Sequence, residues 1–241
     1  FRRMTIGNNE RLRTASERLS LISISETQPD MFGISPLAIQ QAHDDAFDVE
    51  QVTKQFFEEY KAVFTILKSD LNRQVKDQTW AHDYSLQFLN RCMFIYFIQR
   101  KGWLGQKREF LMDFWKSYRR SGQETDSFVD NWLKVLFFEA FNNKFHGGHR
   151  QFPDDMRDIL STAPYLNGGL FTENVLDKEY LPVISDKRFE QILKFLDRYN
   201  FTITEDSPLD KEVAVDPEMI GKVYESLVNV SDEIDEQGEA G

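Results

Sequence analysis

The run from Tyr84 to Lys101 constrains the fold of this chain more than any other feature. Apolar residues occupy most faces of a helix here, notably residues 86, 88 and 89 and the uninterrupted run 93–98. A helix that is apolar all round is normally enclosed by other elements. Two basic residues end the run and Gly102 follows them, which favours a helix end at this point. The sequence therefore predicts a central helix with other elements packed around it.

Further helices are predicted on both sides of this central one. Apolar residues at steps of three and four from Val52 to Leu71 form one stripe, which is typical of an amphipathic helix. Alternating residues in 201–204 and 212–215, around a Ser-Pro turn, predict a small hairpin. The expected fold class is mainly α, a multi-helix bundle with a small β-hairpin near the C-terminus. The predicted helices span residues 48–71, 84–101, 108–120, 127–145, 154–160, 186–199 and 216–228.

The expected domain organisation has three parts. Residues 1–45 resemble the remnant of a preceding domain plus a loop, and residues 46–230 form a helical domain. Residues 231–241 hold five acidic and no basic residues, which indicates a disordered linker. We expect the chain to be an interior piece of a larger cytoplasmic protein, because it has neither an initiator Met nor a signal peptide. The sequence contains no run of about 18 apolar residues, so it predicts no membrane span.

The net charge of −11 is distributed very unevenly. Residues 201–241 have a net charge of −10, whereas residues 91–120 hold eight basic and two acidic residues. This basic segment is either a solvated face over an aromatic core or a surface that neutralises phosphates of a nucleic acid. Its candidate contacts to a DNA backbone are Arg100, Lys101, Lys107, Arg108, Lys116, Arg119 and Arg120.

Patterns for a catalytic or metal site are weak. The single cysteine, Cys92, excludes an internal disulfide, and His146 with His149 is better interpreted as a solvated turn than as a metal pair. Pro29-Asp30 with Glu59 and Lys61 matches the letters of a metal-dependent nuclease motif. Glu59 and Lys61 lie on a strongly periodic helix, however, where their side chains diverge. No nucleophile elbow or phosphate-binding loop occurs. We therefore predict no catalytic residue and no metal ligand.

Five segments in a fixed order carry a family resemblance. Together they resemble the helical region that precedes the catalytic domain of large adenine-specific DNA methyltransferases, including fused restriction–modification enzymes of the type IIG kind and related phage-defence methylases. The resemblance covers residues 45–230. The segments are FDVE and TKQFFEEY within 47–60, LNRCMFIYFIQRKGWL at 89–104, PYLNGGLF at 164–171, YNFTI at 199–203 and EVAVDPEMIGKVYE at 212–225.

The resemblance implies a connector between functional domains. In that family the methyltransferase follows this region and carries the S-adenosylmethionine site and an Asn-Pro-Pro-Tyr type motif, neither of which occurs here. The implied partners are double-stranded DNA and neighbouring domains of the same protein, and the implied cofactor, S-adenosylmethionine, belongs to the parent. The alternative is an all-α module that docks a protein and never meets DNA.

Overall fold

The computed structural model of the chain describes residues 49–166, 169–199 and 201. Seven α-helices and no extended strand occur in this part, so the mainly α fold class is confirmed there. The predicted hairpin and the expected boundaries at residues 45 and 230 lie outside it. The α-helices are α1 (Val49–Val75), α2 (Gln78–Arg100), α3 (Phe110–Arg120), α4 (Lys134–Phe138), α5 (Asp154–Ser161), α6 (Val175–Glu179) and α7 (Asp186–Leu196).

The chain divides into two compact units. The larger is Tyr60–Leu196, and the described residues 49–59, 197–199 and 201 belong to the other. In the smaller unit the rings of Phe56 and Tyr199 form a T-shaped pair with 4.9 Å between their centroids. A salt bridge of 2.9 Å joins Arg198 to Glu59 in the same unit.

Helix α2 is the most enclosed element of the larger unit, as predicted, with 16 of its 23 residues buried. It begins six residues earlier than expected because Asp77 caps it, accepting a hydrogen bond of 2.9 Å from the Trp80 amide. Its end is as predicted. Gly102 adopts a φ of +74°, and the Trp103 amide donates back to the Ile98 carbonyl over 3.2 Å. This backbone pattern is a Schellman ending, which favours glycine at the left-handed position.

The predicted helix over residues 127–145 is wrong as a continuous element. The chain instead forms a π-helix at Val129–Leu133, then α4, then a 3₁₀ turn at Ala140–Asn142. Asn143 follows with a φ of +54°, a conformation that asparagine tolerates better than most residues. The helical segment therefore stops before Gly147. Similarly, α7 ends at Leu196 and not at Tyr199.

A cluster of aromatic rings fills the larger unit beside α3. The Phe114 ring lies 5.0 Å from that of Trp132 and 5.8 Å from those of Phe128 and Phe152, and all four side chains are buried. Phe189 of α7 adds a ring 4.5 Å from Phe128. Aromatic pairs at these separations stabilise a core beyond the area they bury. The cluster holds α3 against the 128–133 segment and α7.

Candidate nucleic-acid interface

The predicted basic residues lie on one continuous stretch, from the end of α2 to the end of α3. Helix α3 is amphipathic: Phe110, Phe114, Trp115 and Tyr118 are buried, while Lys116, Arg119 and Arg120 are exposed. Arg108 is exposed before the helix, and Arg100, Lys101 and Lys107 are half-buried. The aromatic core and the basic face therefore lie on opposite sides of one helix, an arrangement compatible with both a solvated face and a surface that contacts phosphates.

Arg119 and Lys107, both among the seven candidates, form ion pairs with carboxylates. The Arg119 Nη1 lies 2.8 Å from Asp186 Oδ2, which also accepts a hydrogen bond of 3.0 Å from the Tyr118 hydroxyl. The Lys107 Nζ lies 3.3 Å from Asp155 and 3.8 Å from Asp113. Asp155 and Asp186 come from outside the basic segment, so the folded surface is less positive than the local sequence suggests.

Lys116 and Arg120 are the exposed candidates that the fold leaves available. Neither forms an ion pair with a described residue, and the Arg120 Nε donates only to the Lys116 carbonyl of its own helix, over 3.2 Å. Both side chains can therefore reach an external anion without breaking a salt bridge.

Arg91 contributes to the charge of the basic segment in the sequence but does not lie at the surface. Its guanidinium is 2% exposed and binds both oxygens of Asp177, over 2.6 and 2.9 Å. The Arg91 Nε also donates to the Leu170 carbonyl over 2.6 Å, and Gln87 donates to Asp177 over 3.2 Å. This network ties residues 170–177 to the middle of α2.

The sequence did not identify two further arginines near α3. Arg150 and Arg157 line a groove of about 650 Å³ together with Arg120. They lie thirty and thirty-seven positions further along the chain, and neighbouring aspartates make their local sequence electrically neutral. The fold brings them together by placing the 150–157 stretch beside the end of α3.

The remaining motifs form no assembled site in the part of the chain that the structure describes. His149 pairs with Glu139 over 2.7 Å and His146 is exposed. No group of three or more histidine, cysteine or acidic side chains suited to a metal occurs among these residues. Burial raises the pKa of the Cys92 thiol, which keeps it protonated and unreactive. Glu59 and Lys61 both lie on α1, and Pro29 and Asp30 lie outside the described residues.

Two of the motif residues differ from the expected arrangement. In the segment PYLNGGLF, the glycine pair predicts a positive φ beside buried Tyr165 and Phe171. The structure has Tyr165 exposed and Phe171 buried. Gly168 lies outside the described residues, and Gly169 begins a 3₁₀ turn without a positive φ. None of the described helices is long and apolar enough to cross a membrane.

Taken together, these features define a mainly helical region with a partly neutralised basic face. Its sequence is similar to that of a protein of Methanocaldococcus jannaschii provisionally named a type II restriction enzyme and methyltransferase. The two are 29% identical over 224 residues, a match that covers 80% of this chain and 18% of the relative. The chain thus spans less than a fifth of that relative's length, and it is related to a restriction–modification protein. No family model and no solved structure matches it.

Proposed function

We propose that this chain is the helical connector of a restriction–modification type adenine-specific DNA methyltransferase and contacts the DNA backbone through α3. The observation that carries the proposal is the similarity to a restriction–modification relative over 80% of the chain. The order of the five sequence segments agrees with it. S-adenosylmethionine and the catalytic motif would belong to neighbouring domains of the parent, and the connector would hold those domains around DNA.

The exposed side of α3 supports a role in binding without reading sequence. Lys116 and Arg120 are exposed and make no ion pair with a described residue, and flexible cations of this kind suit phosphate oxygens. Trp115 and Tyr118, which could otherwise stack on bases, are buried in the core. Contacts to phosphates position a protein on the duplex and carry no base information.

We expect the chain to shift double-stranded DNA in a salt-dependent manner. Each neutralised phosphate adds about 0.9 to the slope of log affinity against log salt, so Lys116→Glu with Arg120→Glu should lower that slope by about 2. The control is Lys61→Glu with Lys187→Glu, an equal charge change at exposed positions on α1 and α7. Arg119 is left intact because it binds Asp186. Equal binding by both double variants would contradict a DNA contact through α3.

We also expect no methyl transfer from this chain to DNA. Its sequence lacks an Asn-Pro-Pro-Tyr type motif, which the resemblance places in the following domain. The measurement is incorporation of labelled methyl groups from S-adenosylmethionine into DNA, with an active adenine methyltransferase as the positive control. Incorporation above the protein-free background would contradict the connector assignment.

A protein-docking scaffold is the second candidate, and one observation favours it. Val175, Leu181 and Val183 are exposed to 74%, 81% and 47%, on and just after α6. Exposed apolar side chains that lie close together in a chain are typical of contact surfaces for other proteins. Absence of a DNA shift at every salt concentration, including the lowest, would favour this candidate over DNA binding.

A further inference from the structure

We propose that the groove between the end of α3 and the start of α5 binds phosphate groups of double-stranded DNA through Arg120, Arg150 and Arg157. The inference rests on the proposed function and extends it, since only Arg120 belongs to the predicted basic segment. It assigns the contact with the DNA backbone to this groove as well as to the exposed side of α3.

The two walls of the groove come from different parts of the larger unit. Ser117, Arg120 and Ser121 line it from the end of α3, and the 150–157 stretch lines it from the other side. Phe152 lies at its base, buried against Phe114 and Trp132 in the aromatic cluster. Because the cluster packs beneath both walls, it fixes the separation between the arginines.

The charge in the groove favours an anion. Three arginines line it against one carboxylate, Asp155, and that carboxylate is already 3.3 Å from Lys107. Arg150 is exposed and makes no ion pair with a described residue. Arg157 donates through Nη1 to the exposed Asp154 over 3.0 Å, which leaves most of its donors for another acceptor.

Arg157, which lines the groove, also has a donor that no described residue satisfies. The Nε–H of Arg157 is buried and has no acceptor among the described residues. Buried donors are nearly always paired in native proteins, with protein, water or ligand. Guanidinium groups bind phosphate oxygens through paired N–H donors, so phosphate oxygens match what the groove offers.

The lining also distinguishes a duplex backbone from other ligands. Sites for small organic molecules are lined mainly by apolar side chains, whereas arginine, glutamine and serine dominate this groove. Single-stranded nucleic acids are held by bases stacked on exposed aromatic rings. The one ring that lines the groove, Phe152, is 1% exposed and therefore offers no stacking face. The phosphates of a duplex need neither an apolar lining nor an exposed aromatic ring.

The test uses the full chain and a DNA duplex of about two helical turns, with affinity measured across a salt series. Arg150→Gln is expected to lower the slope of log affinity against log salt by about 0.9, and Arg150→Gln with Arg157→Gln by about 1.8. The loss should be the same for duplexes of unrelated sequence. The matched control is Lys61→Gln, which removes one exposed positive charge outside the groove. Circular dichroism checks that each variant folds.

The outcomes separate this inference from the proposed function. In one outcome, Lys116→Glu with Arg120→Glu abolishes the salt-dependent shift, but Arg150→Gln binds DNA as well as the control Lys61→Gln does. In that case α3 binds DNA and the Arg150 side of the groove does not. That result would overturn the inference and leave the proposed function standing. A wild-type chain that binds no duplex at low salt overturns both. Stronger binding of single strands than of the duplex would also overturn the assignment to a duplex backbone.

Discussion

Replacing Asp177 with alanine is expected to lower the free energy of unfolding of this chain by about 3–5 kcal/mol, the usual effect of removing one partner of a buried ion pair. The carboxylate is 1% exposed and binds both terminal nitrogens of Arg91, which is 2% exposed. Without it the guanidinium stays in the core, beside backbone carbonyls and the rings of Phe137 and Phe138. Such surroundings do not neutralise a buried charge.

Asp177 also stabilises the start of α6, which adds to the loss of stability expected for Asp177→Ala. Asp177 also accepts a hydrogen bond of 3.0 Å from the Asn174 amide, and the Asn174 side chain accepts one of 3.3 Å from the Asp177 amide. This capping box starts α6, so its loss removes a helix start along with the ion pair. The measurement is urea denaturation followed by circular dichroism, in which the midpoint should fall.

Two control variants make the interpretation specific. Glu173→Ala breaks the exposed pair with Lys178 and is expected to cost at most about 1 kcal/mol. Arg91→Met with Asp177→Leu removes both buried charges and should recover much of the stability that Asp177→Ala alone loses. If Asp177→Ala proved no more costly than Glu173→Ala, the ion pair would not be buried in solution.

The Arg91 pair also shows where sequence reasoning fails. The run around α2 predicts its central position and its ending, because apolar coverage and Gly102 are local signals. Arg91 lies in the same run and adds to the local excess of positive charge in residues 91–120, although it pairs with a carboxylate 86 positions away. Charge counts in a window cannot distinguish a buried ion pair from a solvated one.

The sequence also fails to predict the arginines of the groove and the break in the helix over 127–145, because tertiary contacts determine both. Aspartates at positions 154, 155 and 158 offset the charges of Arg150 and Arg157, so no local excess of charge marks these arginines. Only the tertiary fold places them beside Arg120. The sequence predicts a helix over 127–145 because Gly147 and Gly148 follow it and glycine is a usual helix stop. Asn143 takes the left-handed conformation earlier, and the Asn142 side chain donates to the carbonyls of Phe137 and Phe171 over 2.9 Å each. The second contact is tertiary and invisible to periodicity.

The second large effect is expected from Phe114→Ala, which should lower the free energy of unfolding by about 3–5 kcal/mol. Phe114 is fully buried, and its ring contacts those of Phe110, Phe128, Trp132 and Phe152. Truncation leaves a cavity that four large rings cannot fill by small shifts, because interiors are close-packed. Thermal or urea unfolding measures the loss. Lys116→Ala, two residues further along the same helix and exposed, should change stability by no more than about 0.5 kcal/mol.

The same substitution links the core to the basic surface. Phe114 packs on Phe152 at the base of the groove, so a cavity there loosens the separation between Arg120 and Arg150. Under conditions where Phe114→Ala remains folded, DNA affinity should fall although no charge has changed, while Phe114→Leu should retain more of both affinity and stability. An unchanged affinity in folded Phe114→Ala would mean that the two groove walls are positioned independently of the aromatic cluster. The affinity of folded Phe114→Ala therefore tests whether the core sets the spacing of the arginines, separately from whether those arginines bind phosphate.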